Sequence, residues 1–203
     1  MTEVVVATRN RGKLAEIGAI LRIPGLKLIA LGDWHGAPVT DETGATFRDN
    51  AVLKAIDAAR FTGRPALADD SGLCVDALAG APGLLSARYG GPGLDDVGRY
   101  ELLLGAMLDV PESQRSARFV CAAALAVPDG EVHTAYGELP GAIAMSPSGA
   151  GGFGYDPVFF LPEMDCTLAE LPEEVKNEIS HRAAALRAIA PRVRALAAGQ
   201  AGI

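Results

Sequence analysis

Short apolar runs alternate with segments of helical periodicity along this chain, and that alternation restricts the fold more than any other feature. An apolar run at Val4–Ala7 leads through a polar loop into a helical pattern over Gly12–Arg22, and a strand-like run follows at Leu26–Leu31. A helical pattern over Phe47–Phe61 then precedes a short buried strand at Pro65–Ala68. Strands that alternate with helices in this way build α/β folds.

The second half of the chain continues the alternation and adds strands that are close together in sequence. Its predicted elements are, in order, a long functional loop over Asp76–Leu94, a helix over Asp95–Leu108, strands over Phe119–Val127 and Val132–Glu138, a strand over Val158–Phe160 and a helix over Pro172–Leu196. Pro128–Glu131 resembles a hairpin turn, so the predicted central sheet is mixed and is flanked by helices. Pro191 is expected to kink or divide the last helix.

Composition places the chain among ordinary globular proteins. With 203 residues, of which 49% are hydrophobic and 21% charged, a sizeable core and one domain over residues 1–203 are predicted. The formal net charge of −7 argues against a nucleic-acid polymer as a partner, because such binding relies on a basic face. The sequence shows no charged leader with an apolar segment and no run of membrane-spanning length, so no membrane partner is expected and the cytoplasm is the predicted compartment.

The loop between the first strand and the first helix has the composition of a phosphate-binding loop. It reads Thr8-Arg9-Asn10-Arg11-Gly12-Lys13, which puts three cations and two polar side chains at the start of a helix. Free N–H groups and the positive end of the helix dipole favour an anion at such a position. The loop lacks the spaced glycines and the final Lys-Ser or Lys-Thr of a Walker loop, so it does not indicate an ATPase.

Two adjacent carboxylates follow the third strand-like run. The segment Ala66–Gly72 ends an apolar run in Asp69, Asp70, a hydroxyl and a glycine. Mg²⁺ prefers oxygen ligands and commonly reaches a protein through one or two carboxylates together with substrate phosphates. The same residues are equally compatible with a helix cap or an Asx turn, in which Asp70 or Ser71 only satisfies backbone N–H groups.

The three cysteines, Cys74, Cys121 and Cys166, lie far apart and form no Cys-x-x-Cys pair. They therefore indicate neither a disulfide framework nor a zinc site. Cys74 follows the aspartates closely, but the sequence pairs no histidine with it, so a nucleophilic role is not favoured.

Four motifs together resemble the inosine triphosphate pyrophosphatase family, and the resemblance covers nearly the whole chain. They are Thr8–Lys13, Asp69–Gly72, Phe153–Asp156 and Ser180–Arg182. Further matches are Glu42-Thr43-Gly44-x-Thr46-Phe47, Asn50-Ala51-x-x-Lys54-Ala55 and Gly80-x-Pro82-Gly83-x-x-Ser86-Ala87-Arg88-Tyr89. Each motif alone is weakly specific, whereas their shared order and spacing make the resemblance strong.

The resemblance implies a role for each matched residue. Asp70 is expected to bind Mg²⁺ and to accept a proton from the attacking water. A second metal carboxylate falls at Asp41-Glu42, where the family commonly has two glutamates; the alignment favours Asp41, with Glu42 as the alternative. The residues expected to bind substrate are Thr8, Arg9, Asn10, Arg11, Gly12, Lys13, Ser71, Phe153, Gly154, Tyr155, Asp156, Lys176, His181 and Arg182.

The resemblance also implies a reaction. Members of the family hydrolyse non-standard purine nucleoside triphosphates such as dITP, ITP and XTP to the monophosphate and pyrophosphate, which cleanses the nucleotide pool. The resemblance further implies Mg²⁺ as cofactor, a homodimer, and two lobes with the active cleft between them. A fixed donor such as Arg182 would form a hydrogen bond to the 6-oxo group of these bases, and Phe153 or Tyr155 would stack on the purine.

Two rival functions stay open at this level. A metal-dependent phosphatase would use Asp69 or Asp70 as a covalent nucleophile and release orthophosphate. A nucleotide sensor would bind the nucleotide without turning it over.

Overall fold

The structure is a computed structural model that describes residues 1–128 and 130–199, so Asp129 of the predicted hairpin turn lies outside the described residues. Its elements are, in chain order, β1 (Thr2–Val6), α1 (Arg11–Leu21), β2 (Leu26–Ala30), α2 (Phe47–Thr62), β3 (Ala66–Val75), α3 (Asp96–Ala106), β4 (Ser116–Ala126), β5 (Val132–Ile143), β6 (Phe159–Leu161), β7 (Cys166–Thr167), α4 (Glu173–Ile179) and α5 (His181–Ala197). The strands of the described residues form one sheet in the order β2-β1-β3-β4-β5-β6-β7. β1 is parallel to β2 and β3, whereas β6 is antiparallel to β5 and β7, which confirms the predicted mixed α/β sheet.

The chain divides into two compact units. The first contains Met1–Asp70, Cys121–Gly137 and the segment from His181 onward, and the second contains Ser71–Val120 and Glu138–Ser180. The predictions of a single domain and of an active cleft between two lobes stay predictions. None of the helices in the described part of the chain combines the length and the apolar character that a membrane span requires.

Both faces of the sheet are buried in the first unit. Val4 of β1 belongs to a cluster with Ile17 of α1 and Leu186 of α5, whereas its neighbour Val5 packs with Ala51 and other small residues of α2. Neighbouring strand residues point to opposite faces, so an uninterrupted apolar run suits a strand that helices cover on both sides. The helices on the two faces are therefore fixed by the same strand.

A separate core holds the second unit together. Leu103 of α3 and Met107, which follows that helix, are fully buried there and pack with Phe119 of β4 and Phe159 of β6. The ring centroids of Phe119 and Phe159 are 4.6 Å apart, within the range of favourable aromatic pairs. Tyr155 of the third motif belongs to this core, so the core anchors that motif.

The predicted end of the third strand was wrong. β3 does not stop at Ala68 but continues through Asp69 and Asp70 to Val75, so the aspartates lie inside a strand rather than in a cap or a turn. Asp, Ser and Gly have low strand propensity, but burial of the strand along its length outweighs it.

The predicted division of the last helix was also misplaced. The chain leaves helical geometry at Ser180, with φ −63° and ψ 154°, which separates α4 from α5. Pro191 instead lies inside α5, which continues through it. A proline removes one intrahelical hydrogen bond, and the packing of Ile189 and Val193 into the core of the first unit compensates for that loss.

The close approach of β5 to α5 at Gly137 gives a test of this packing. A Cβ at residue 137 would meet the His181 carbonyl oxygen at 2.2 Å and the Ala185 nitrogen at 2.5 Å, and both atoms belong to helix backbone. Gly137→Ala is therefore expected to lower the free energy of unfolding by about 2 kcal/mol or more, as measured by urea denaturation.

Gly18→Ala is the matched control in the same unit. Its Cβ would meet only the Leu28 Cδ1 atom at 3.9 Å, and residue 18 lies inside α1. An alanine in a helix interior raises the free energy of unfolding by up to about 1 kcal/mol relative to glycine. If Gly137→Ala were as stable as the wild-type chain, the close approach of β5 to α5 would be contradicted.

Candidate active site

The parallel pairing of β1 with β3 brings the cationic loop next to the two aspartates. Val6 pairs with Leu67, and the Ala7 N–H donates to the Leu67 carbonyl at 2.8 Å. From this point β1 passes into the loop, while β3 continues into Asp69–Asp70. Two motifs that are far apart in the sequence therefore meet at one end of a pair of parallel strands.

Asn10 shapes the loop and caps α1. Its Oδ1 accepts the N–H groups of Gly12 at 2.8 Å and Lys13 at 3.2 Å, and the Asn10 N–H donates to Thr8 Oγ1 at 3.1 Å. Two of the helix-start amides that we expected to attract an anion are therefore already satisfied. The attraction for phosphate must come from the helix dipole and from the side-chain cations.

The three cations of the loop point to different neighbours. Arg9 donates to the Ala37 carbonyl at 2.7 Å, and Arg11 pairs with the exposed Asp33. These arginines line a cavity of about 190 Å³ together with Asp33 and Trp34. Lys13 points instead towards β3, where it contacts Asp69.

Asp69 is held by two cations from helices on one side of β3. Its Oδ2 is 3.3 Å from Lys13 Nζ of α1 and 3.1 Å from Arg182 Nε of α5. Arg182 Nη1 also donates to Glu16 Oε2 at 2.6 Å. Burial alone would raise the pKa of Asp69, but Lys13 and Arg182 hold it well below its usual range.

The structure gives Arg182 a different setting from the one expected of a donor to a base. Only 2% of its surface is exposed, and its Nε and Nη1 groups already donate to Asp69 and Glu16. His181 lies beside it at the start of α5 and is also buried. Glu16 was missed in the sequence, although its place one helical turn after Lys13 is a signal that the two share a face.

Asp70 is surrounded by residues of α2 instead. Lys54 Nζ is 2.8 Å from Asp70 Oδ1, and the Asn50 side-chain amide donates to Asp70 Oδ2 at 3.2 Å. Burial raises the pKa of Asp70, and Lys54 opposes that rise only in part. Burial alone would lower the pKa of Lys54, but the charge and hydrogen bond of Asp70 raise it above its ordinary value. The sequence identifies Lys54 and Asn50 as part of a matched motif but predicts no role for them.

Glu42 joins the Asp70 cluster, whereas Asp41 lies on the surface. Glu42 Oε1 is 3.1 Å from the same Lys54 ammonium that contacts Asp70. Asp41 is exposed. The Gly44 N–H donates to Asn50 Oδ1 at 2.8 Å, which attaches the loop carrying Glu42 to the start of α2.

The donor set of this cluster fits Mg²⁺. Asp70 and Glu42 supply hard carboxylate oxygens, and the Lys54 ammonium shows that oxygens of both converge on one cation. In the described residues no group of three or more His, Cys, Asp or Glu side chains is arranged to hold a metal ion. A Mg²⁺ ion bound here would therefore complete its coordination with water and with the phosphate oxygens of a substrate, which is its usual mode in nucleotide enzymes.

A second cluster forms around Asp156 in the second unit. Its buried carboxylate accepts the Lys176 ammonium at 2.5 Å and the Phe153 N–H at 2.9 Å. Lys176 Nζ also lies 4.6 Å from the centroid of the Phe153 ring, which is 45% exposed. A Cβ at residue 152 would meet Asp156 Oδ2 at 2.1 Å, so the loop requires glycine there.

The other residues of the third motif are tied to backbone or carboxylate partners. The Gly154 N–H donates to Asp96 Oδ2 at 2.8 Å, and the Tyr155 hydroxyl donates to the Ser86 carbonyl at 2.9 Å. Burial raises the pKa of Tyr155 to about 12. Tyr155 is thus a core residue, and Phe153 is the aromatic ring with an exposed surface. Ser71 follows Asp70 in β3 and is half-buried.

The three thiols are buried or half-buried. Cys74, Cys121 and Cys166 are free cysteines. Burial raises the pKa of the Cys74 thiol, which disfavours the thiolate that a nucleophile requires.

The fold and the two clusters define a class of protein: an α/β chain in which a cationic loop lies beside buried carboxylates, as suits the processing of a phosphorylated ligand. The chain belongs to the Ham1 family, which it matches over residues 4–192. The resemblance drawn from its motifs is thereby confirmed.

Relatives and solved structures agree with this assignment. The chain is 53% identical over 186 residues to a dITP/XTP pyrophosphatase of Geobacter sulfurreducens, covering 92% of this chain and 94% of the relative. It is 50% identical over 198 residues to the dITP/XTP pyrophosphatase of Streptomyces avermitilis, covering 97% and 99%. A HAM1 protein structure from Coxiella burnetii superposes with a TM-score of 0.87 at 43% identity, covering 95% of this chain and 98% of that one.

Asp69→Asn tests whether the buried charge network is formed as described. The substitution leaves Arg182 and Lys13 without their shared carboxylate, so the free energy of unfolding at neutral pH should fall by about 3 kcal/mol. Because the pKa of Asp69 is lowered in the folded chain, its stabilisation is present above its ordinary value of 3.8 and is lost as the pH falls further. The difference in the free energy of unfolding between wild type and Asp69→Asn should therefore become smaller in acid.

Asp33→Asn is the control for this measurement. It breaks the pair with Arg11, in which 71% of the Arg11 side chain and 40% of the Asp33 side chain are exposed. Exposed pairs contribute little, so a change within about 0.5 kcal/mol is expected. Equal effects of the two substitutions would contradict the buried network around Asp69.

Proposed function

We propose that this chain is a nucleoside-triphosphate pyrophosphohydrolase that converts non-standard purine nucleoside triphosphates, such as dITP, ITP and XTP, to the monophosphate and pyrophosphate. The observation that carries the proposal is the contact of Lys13 in the cationic loop with Asp69, next to Asp70 in β3, in a chain that is 53% identical to a relative named dITP/XTP pyrophosphatase. The reaction breaks the bond between the α and β phosphates and removes such nucleotides from the pool.

The cationic loop is assigned to the triphosphate. Lys13 is the best-placed cation, because an ammonium has three N–H donors and can serve Asp69 and phosphate oxygens together. Asp69 and Arg182 then act as positioning residues that hold the Lys13 head in place. Thr8 and Asn10 shape the loop, and Arg9 and Arg11 add positive charge near its start.

Asp70 and Glu42 are assigned to Mg²⁺. A bound Mg²⁺ supplies charge neutralisation for the phosphates and acidifies a coordinated water. We assign the second carboxylate to Glu42 rather than to Asp41, since Glu42 shares the Lys54 ammonium with Asp70 and Asp41 is exposed.

Asp70 is also assigned the role of proton acceptor for the attacking water. A carboxylate held close to the reacting water can accept its proton in the transition state, and Asp70 lies in a partly buried position beside Lys54. The Asn50 amide donates to one of its oxygens and orients the carboxylate. The water therefore meets a base whose position is fixed before the substrate binds.

Base recognition is assigned to the cluster around Asp156. The exposed ring of Phe153 suits stacking on a purine, and Lys176 and Asp156 fix the loop that carries the ring. Hypoxanthine and xanthine present a 6-oxo acceptor and an N1–H donor, whereas adenine presents the reverse pattern. A site built around those hydrogen bonds can discriminate by about four orders of magnitude. The contact of Ser71 with substrate, the part of His181 and Arg182 in the base and phosphate pocket, and the homodimer stay predictions from the family resemblance. The cytoplasmic location stays a prediction from the sequence.

The first test identifies the products. The wild-type chain is incubated with dITP, dATP or dGTP and Mg²⁺, and the phosphorus products are resolved by ³¹P NMR. Pyrophosphate from dITP, with little turnover of dATP, is expected. Orthophosphate and a trapped aspartyl phosphate would support a phosphatase instead, and tight dITP binding without product would support a sensor.

Asp70→Asn is the matching variant. It removes the proton acceptor and one metal ligand, so turnover should fall about a hundredfold or more while the far-ultraviolet circular dichroism is retained. Asp109→Asn makes the same chemical change at an exposed carboxylate and should behave as wild type. Full activity of Asp70→Asn would remove Asp70 from both roles.

A second pair of variants decides between the neighbouring carboxylates. Glu42→Gln should raise the Mg²⁺ concentration needed for half-maximal turnover by about tenfold or more, because it removes one of two charged ligands. Asp41→Asn should raise it by less. The opposite order in a Mg²⁺ titration of initial rates would return the ligand role to Asp41.

A further inference from the structure

Lys54 lies where a cation would bridge the two carboxylates that we assign to the metal. Its Nζ is 2.8 Å from Asp70 Oδ1 and 3.1 Å from Glu42 Oε1. The exposed fractions of the Lys54, Asp70 and Glu42 side chains are 14%, 12% and 27%. The ammonium is therefore close to oxygens of both carboxylates.

The surroundings hold both carboxylates around this ammonium. The Asn50 side-chain amide donates to the second oxygen of Asp70. Its side-chain oxygen, Oδ1, accepts the Gly44 N–H from the loop that carries Glu42. A Cβ at residue 44 would meet the Asp49 Cβ at 2.5 Å, so this loop approaches α2 more closely than a side chain would allow. Asn50 thus holds Asp70 directly and holds the loop that carries Glu42 through Gly44, whereas Lys54 reaches both carboxylates through a flexible side chain.

We propose that Lys54 competes with the divalent metal for Asp70 and Glu42, so that the metal enters together with the nucleotide rather than before it. This inference rests on the proposed function. A divalent ion bound to both carboxylates would lie close to the ammonium, and like charges repel strongly in a partly buried site. Two carboxylates also leave most of the octahedral coordination of Mg²⁺ to water, so they hold the ion less firmly than carboxylates and substrate phosphates together.

A triphosphate reverses this balance in two ways. Its oxygens complete the coordination of the metal, and its negative charge offers the displaced ammonium a new partner. Lysine has a flexible four-carbon stem, so the head can move while α2 stays in place. The step is an exchange of ion pairs in which no covalent bond forms or breaks.

Mn²⁺ binding without nucleotide tests the competition. Lys54→Gln removes the ammonium and should bind Mn²⁺ about tenfold or more tightly than wild type. Lys54→Arg keeps the positive charge, so its Mn²⁺ binding should stay as weak as that of wild type. The matched control is Lys27→Gln, which removes an ammonium that pairs with Glu3 elsewhere in the first unit and should leave Mn²⁺ affinity unchanged. Free Mn²⁺ is followed by electron paramagnetic resonance.

The direction in which Lys54→Gln changes Mn²⁺ affinity distinguishes the proposed competition from a purely structural role of Lys54. If Lys54 only stabilised the fold, its loss would weaken Mn²⁺ binding or leave it unchanged, and either result would overturn the proposal. Circular dichroism confirms that each variant is folded before its titration.

The wild-type chain provides a measurement that does not depend on the folding of Lys54→Gln. The sequence contains four lysines, Lys13, Lys27, Lys54 and Lys176, so ¹³Cε-lysine labelling gives a simple spectrum. The Lys54 signal should stay in place with Mg²⁺ alone and move when Mg²⁺ is added with a non-hydrolysable dITP analogue. An equal shift with Mg²⁺ alone would contradict the proposed order of binding. The Lys27 signal is the internal reference.

Turnover separates failure of this inference from failure of the proposed function. Pyrophosphate release by the wild-type chain, together with equal Mn²⁺ affinities of wild type and Lys54→Gln, would reject the inference and leave the function intact. No pyrophosphate from any non-standard purine nucleoside triphosphate would reject the proposed function, and the order of binding with it.

Discussion

Two consecutive carboxylates inside a buried strand are the constraint on which the rest of the first unit depends. A buried carboxylate is costly unless a cation and hydrogen bonds compensate it, and neighbouring strand residues point to opposite faces. Asp69 therefore takes its cations from α1 and α5, and Asp70 takes its cation from α2. The helices are joined to β3 by charge as well as by apolar packing.

This arrangement is better explained by chemistry than by stability. Well-packed apolar residues commonly replace a buried ion pair at no cost in stability, so the charges around Asp69 need another reason to be present. The proposed reaction supplies one, because Asp69 holds Lys13, the lysine that we assign to the phosphates. Arg182, enclosed by Asp69 and Glu16, then contributes by fixing the position of Lys13.

The second unit uses the same physical device with a different partner. Asp156 is buried and takes a cation from Lys176 and a hydrogen bond from the Phe153 backbone, so a carboxylate again organises a loop rather than facing solvent. Gly152 lets that loop pass close to the carboxylate. In both units the residue that we assign to the ligand is held by a buried aspartate.

The sequence by itself determined the element types, the bounds of α1 and α2, and the motifs, because helix periodicity and caps such as Asn10 and Thr46 act over a few residues. Only the tertiary structure decided that β3 continues through its aspartates, that Glu42 rather than Asp41 joins Asp70, and that Arg182 is enclosed by carboxylates. Those outcomes depend on burial and on pairs of charges that are far apart along the chain. A local sequence pattern specifies neither.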